Sequence, residues 1–94
     1  MNTADARAVL IQELARYRAR SYSELVHELL GKQDTYEVKS STGIKYQVEI
    51  QAFWDDKPND ILRVMGAIDD GGIRAYVPMT EDFLIAPTGE FIGE

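Results

Sequence analysis

Three acidic pairs, Asp55-Asp56, Asp69-Asp70 and Glu81-Asp82, are the residues of this chain whose types best suit chemistry. Neighbouring carboxylates bind divalent cations, or divide the work of general acid and general base. In an antiparallel meander, successive turns fall at alternate ends of the sheet. Asp55-Asp56 and Asp69-Asp70 are therefore expected to lie a strand apart, roughly 23 Å for about seven residues. Only Asp55, Asp56, Glu81 and Asp82 can then share one end. An EF-hand loop begun at Asp55 places Lys57 at its third position, and one begun at Asp56 places Pro58 there. Neither register has glycine at position six. Acids favoured in turns and solvated give the simpler account. His27, the single imidazole, sits between Val26 and Glu28, off the Leu25/Leu29 stripe, and is expected to face solvent. The sequence places no nucleophile beside it. No catalytic residue, metal ligand or cofactor is assigned, and enzyme activity is not the leading expectation. A carboxylate-dependent hydrolase or divalent-metal protein built on the four acids at one end is kept as an alternative.

The elements that must position these residues follow from periodicity. From Ile44 to Trp54 the chain alternates, with Ile44, Tyr46, Val48, Ile50, Ala52 and Trp54 on one face and Lys45, Gln47, Glu49 and Gln51 on the other. That is a half-buried antiparallel strand. A strand over Thr35 to Ser40 and the loop Ser41-Thr42-Gly43 precede it, setting Tyr36 opposite Val48 and Val38 opposite Tyr46. A third strand, about Ile61 to Asp69, keeps its apolar residues inside if Trp54 faces Leu62 and Ile50 faces Gly66. That glycine leaves room for Ile50 or for a helix, or marks a bulge. A tight turn at Asp69-Asp70-Gly71-Gly72 would pair Ile68 with Ile73 and Val64 with Val77. A last hairpin joins Phe83 to Ala86 with Glu90 to Ile92 through Ala86-Pro87-Thr88-Gly89.

Two helices come first. One is expected from about Thr3, as N-cap, to about Ala19, with Ala6, Val9, Leu10, Leu14 and Tyr17 at helical spacing. The second starts at the capping box Ser21-Tyr22-Ser23-Glu24 and stops at Gly31. The fold class is α+β: two N-terminal helices packed on one face of an antiparallel β-meander, order ααββββββ, in two layers. Residues 1–94 are read as a single domain.

The 94 residues carry a net charge of −6, distributed unevenly. Residues 1–33 hold five basic and four acidic side chains, and residues 34–94 hold five and twelve. This charge disfavours nucleic acid and anionic lipid and favours a basic partner. Arg16, Arg18 and Arg20 are read as complementing a helix C-terminus. No apolar run is long enough for a bilayer, and the N-terminus lacks a secretory pattern. The chain has no cysteine, so disulfides are excluded. The expected location is cytoplasmic, with no membrane or nucleic-acid partner.

The ten residues Asp69-Asp70-Gly71-Gly72-Ile73-Arg74-Ala75-Tyr76-Val77-Pro78 resemble the hairpin of HicB-like antitoxins, small proteins that bind and neutralise an RNA-degrading toxin. Met79-Thr80-Glu81-Asp82 then departs from that family's pattern, lacking its proline-glycine segment and following helix, so no functional residue is carried over.

Combining the registers gathers Phe53, Arg63, Met65 and Tyr76 on the wet face, with Arg63 able to lie over an aromatic ring and an acidic border of Asp55, Asp56, Glu81 and Asp82. Aromatic, methionine and arginine side chains are enriched at protein interfaces. The expected function is therefore a non-enzymatic module for protein interaction or self-association, its partner a basic protein or a second copy. An antitoxin- or immunity-like inhibitor is an alternative within that class. A ligand cavity floored by Tyr46, Ile50, Trp54 and Gly66 is weighed against a solid core of the same residues, which is preferred.

Overall fold

Gly66 lies on the sheet beneath Leu10 and Leu14 of the first helix. In the computed structural model, which describes residues 1–72 and 78–94, a Cβ built on Gly66 would stand 2.7 Å from Leu10 Cδ1, 3.0 Å from Ile50 Cδ1 and 3.4 Å from Leu14 Cδ2. The missing side chain thus serves both Ile50 and the helix. The same contacts fill the space a ligand cavity would need above this position.

The elements are α1 (Thr3–Arg18), α2 (Tyr22–Leu29), β1 (Gln33–Lys39), β2 (Lys45–Trp54), β3 (Leu62–Asp69), β4 (Met79–Ile85) and β5 (Phe91–Ile92). The five strands form one antiparallel sheet in chain order. Asn2 caps α1 by accepting the Asp5 amide, one residue before the expected Thr3. Asn2 is extended while Thr3 is already helical, and asparagine is the stronger cap. The capping box at Ser21 is present in both directions, and Gly31 has φ +72° just beyond α2. Helix α1 packs over β3 and β4 and α2 over β2, burying Ala6, Val9, Leu10, Leu14, Tyr17, Leu25 and Leu29 against Tyr46, Val48, Ile50, Ala52, Leu62, Val64, Ile68, Phe83 and Ile85. No helix among the described residues is long and apolar enough to cross a membrane.

The expected pairings of β1 with β2 and of β2 with β3 are observed. The neighbour of β3 is different: Ile68 faces Met79 and Val64 faces Phe83, in place of Ile73 and Val77. Asp69 and Asp70 accept the amides of Gly71 and Gly72 at 2.8 and 3.1 Å. These local bonds end the ladder at Asp69. The shift from Ile73 to Met79 is even, so parity is kept and Phe83 and Ile85 still enter the core. The expected strand over Ile73 to Val77 lies outside the described residues.

Three tyrosine-to-carboxylate bonds tie α1 to the first hairpin. Tyr46 donates to Asp5 at 2.8 Å, Tyr36 to Glu13 at 2.9 Å, and Tyr17 to Asp34 at 2.7 Å. Thr42 adds a second donor to Asp5 at 3.0 Å. At the other end of α1, the Arg18 guanidinium lies 4.7 Å from the Phe83 ring centre and 5.0 Å from that of Phe91, and pairs with Glu94. Arg16 pairs with Glu13, and Arg20 lies over Tyr17. The three arginines are thus engaged within the fold as well as lying near the end of α1.

Burial, followed by the bond to Asp5, pushes the Tyr46 phenol up to about 12; burial likewise raises Tyr17 and Tyr36. Phenols raised in the folded state contribute stability that is complete below pH ~10 and is lost as pH rises through their folded values. Asp5 is held low, chiefly by the Tyr46 hydrogen bond. Its contribution is complete above its unfolded value of ~3.9 and is lost as pH falls through the depressed folded value. Alkaline titration followed by near-ultraviolet absorbance is expected to show these tyrosines ionising above pH ~10 together with loss of near-ultraviolet circular dichroism. Ionisation at the free-phenol value with the fold intact would count against these bonds. Gly66→Ala is expected to destabilise by about 1–3 kcal/mol through overpacking against Leu10. Added to Leu10→Ala, the same change should cost less than it does alone, as urea denaturation of the double-mutant cycle would show.

Candidate functional site

With both helices on one side, the side chains of alternate parity form the opposite face of the sheet. In β1 these are Gln33, Thr35, Glu37 and Lys39, all exposed, and in β2 they run from Lys45 to Phe53. Registers carried across β2, β3, β4 and β5 bring Phe53, Arg63, Leu84 and Ile92 into one transverse row. The next row is Gln51, Met65 and Asp82, followed by Glu49, Ala67 and Thr80. Phe53 is 38% exposed; Arg63, Met65, Leu84 and Ile92 are half-buried.

Phe53 and Arg63 are neighbours, and so are Gln51 and Met65, as the sequence leads one to expect. Asp82 stands opposite Met65, the position expected for Tyr76; Tyr76 itself lies outside the described residues. Leu84 and Ile92 join the patch without having been anticipated. Their place depends on the pairing of β4 with β3, which the Asp-Gly turn concealed. Because β4 lies in the plane of the sheet, the segment from Met79 to Ile85 extends this face instead of folding across it.

Arg63 is held by two carboxylates. Its Nε and one terminal nitrogen donate to Asp55 Oδ1 at 3.0 and 2.7 Å, and the other terminal nitrogen donates to Asp82. These bonds, that to Asp55 first, raise an already high guanidinium pKa. Among the described residues no ring lies against Arg63, and its charge is directed to these two carboxylates, which attract it more strongly than a ring face does.

The four acids expected at one end are not pooled. Asp55 and Asp82 have the Arg63 guanidinium between them, and Asp56 is exposed in the β2–β3 loop. Glu81 belongs to the helix-facing parity and lies 3.4 Å from Arg7 of α1. Adjacent strand residues point to opposite faces, so Glu81 and Asp82 are separated by the sheet itself. Among the described residues, no group of three or more histidine, aspartate or glutamate side chains is placed to hold a metal ion. Asp69 and Asp70 occupy the far end of β3, where they bond to the turn amides and the terminal ammonium of Met1 lies 3.8 Å from Asp70. His27 is exposed on α2.

A second exposed apolar side chain, Ile11, is 54% exposed on the solvent side of α1. Ala4, Ala8 and Ala15 are exposed on the same helix. The helical stripe expected from sequence left Ile11 without a role. Its spacing from Ala8 and Ala15, three and four residues, is the signal that it lies away from the core.

Comparison with known proteins finds no family model, no curated protein and no solved structure that matches this chain.

Since Arg63 and its partners are substantially exposed, their network should contribute little to folding. Arg63→Met is expected to change stability by less than about 1 kcal/mol in urea denaturation. A loss several times larger would show that the Arg63 network supports the fold itself.

Proposed function

We propose that this chain is a non-enzymatic, cytoplasmic protein-interaction module that binds through the open face of its sheet. One observation supports this above the rest: Phe53, Leu84, Ile92 and Met65 gather at one end of the face that the helices leave free. Exposed apolar groups in one patch gain most when another protein covers them, and polar neighbours set orientation. Arg63 suits this role, since with its charge matched by Asp55 and Asp82 its aliphatic stem can be covered without stranding a bare cation. The surrounding carboxylates Asp55, Asp56 and Asp82 favour a basic surface.

The test is affinity capture from the organism of origin, with wild type and a Phe53→Ser variant compared by quantitative mass spectrometry. The variant should remain folded, because Phe53 lies outside the core. At least one protein should be retained by wild type and depleted about tenfold or more in the variant, as expected for a side chain worth upwards of about 1.4 kcal/mol. Equal capture by both, together with unchanged self-association, would remove the outer face as the binding surface.

A further inference from the structure

A different surface, the free edge of β1, carries an inference that does not depend on the outer-face reading. Among the described residues, strand β1 is at one end of the sheet order and pairs with β2 alone. The Ser40 amide donates to Ile44 O at 2.8 Å, which makes Ser40 and Ile44 a hydrogen-bonded pair. Because such pairs alternate along an antiparallel ladder, Val38, Tyr36 and Asp34 also turn their backbone groups toward β2. The N–H and C=O groups of Gln33, Thr35, Glu37 and Lys39 then point away from the sheet. The strand contains no proline or glycine to interrupt pairing along that edge.

Charge supplies the second part of the argument. Lys39 stands directly opposite Lys45 on the outer face, a like-charge pair at the closest type of cross-strand position. Neither Glu37 nor Lys39 takes part in an ion pair among the described residues, and Glu37 accepts one long bond of 3.4 Å from Gln47. A second copy entering antiparallel, with its helices on the same side, must meet β1 in a register that pairs inner with inner residues. Registers centred on Tyr36, Glu37 and Val38 overlap seven, five and three residues of β1, and charge chooses among them. Centred on Tyr36, Thr35 meets the second copy's Glu37; centred on Glu37, two glutamates collide. Centred on Val38, Glu37 meets the second copy's Lys39 twice over, Val38 meets its own counterpart, and each Lys39 acquires the opposite charge that β2 withholds. The outward backbone groups of Glu37 and Lys39 form the hydrogen-bonded pairs in that register.

We propose that a second copy of this chain pairs with the β1 edge about a two-fold axis at Val38, joining two sheets into one of ten strands. The net charge of −6 on each copy opposes association at long range, but charges beyond ~8 Å are screened at physiological salt, whereas these ion pairs form at contact. The contact is small, so the dimer is a weak one that forms reversibly with concentration.

Sedimentation equilibrium at physiological ionic strength provides the test, with circular dichroism confirming that each variant is folded. Wild type should show a monomer–dimer equilibrium. Glu37→Lys and Lys39→Glu should each weaken it at least tenfold, and the double variant carrying both should restore it, because the exchanged charges meet again. Phe53→Ser should leave it unchanged. A wild type that remains monomeric throughout would overturn the proposal, and so would a dimer lost in the double variant. A dimer abolished by Phe53→Ser would overturn it while supporting self-association through the outer face.

Discussion

Leu10 reaches the sheet at Gly66, and the asymmetry of the protein follows from that approach. Any side chain at position 66 would stand within 2.7 Å of the leucine, so the glycine admits α1 to the sheet while Ile50 closes the neighbouring space. Once α1 lies there, one face of the sheet is sealed in a core that holds sixteen buried apolar residues among those described. A fully buried Leu, Ile or Val side chain stabilises by about 1.5–3 kcal/mol, which makes inversion of the register prohibitive. Among the described residues the opposite face is then left uncovered.

The acidity of the chain has several separate structural origins. Asp5, Glu13 and Asp34 accept tyrosine hydroxyls that fasten α1 to the first hairpin. Asp69 and Asp70 satisfy amides at a turn, and Asp55 and Asp82 orient Arg63. A carboxylate accepting a phenol hydrogen bond in a partly dry setting is a stronger partner than a neutral acceptor. Such bonds add directional ties along the helix to the close packing at Gly66. The negative charge therefore enters first as a source of acceptors and only second as a field.

Much of this architecture was legible in the residues themselves. The alternation from Ile44 to Trp54, the loop closed by Gly43 and the parity of Leu62, Val64 and Ile68 are each local or nearest-neighbour signals, and they led to the observed registers of β1, β2 and β3. The capping box at Ser21 was similarly unambiguous. What escaped was the neighbour of β3. The Asp-Gly and Gly-Gly steps offer a tight turn, and nothing local shows that Phe83 and Ile85 compete for the same ladder from further along. Which segment pairs with β3 is a matter of tertiary packing, which local turn signals do not report. The candidate patch inherited the error: Phe53, Arg63 and Met65 came from sound registers, whereas Leu84 and Ile92 depended on the pairing that was misread. The bond of Arg63 to Asp82 was hidden for a related reason, because the position of Asp82 depends on that same pairing.

Arg63 also explains why the apolar row and the acidic loop belong to one surface. By register its stem lies between Phe53 and Leu84, and its charged end reaches Asp55 on one side and Asp82 on the other. The side chain thus separates two apolar residues with methylene groups while sending its charge toward the carboxylates. Long basic side chains cover hydrophobic surface in this way when an acid draws the head group aside. A lysine in its place has a single head group and cannot span both carboxylates with a planar fork. The patch around Phe53 is therefore organised by an ion-pair network that draws the charge aside and leaves methylene groups between Phe53 and Leu84.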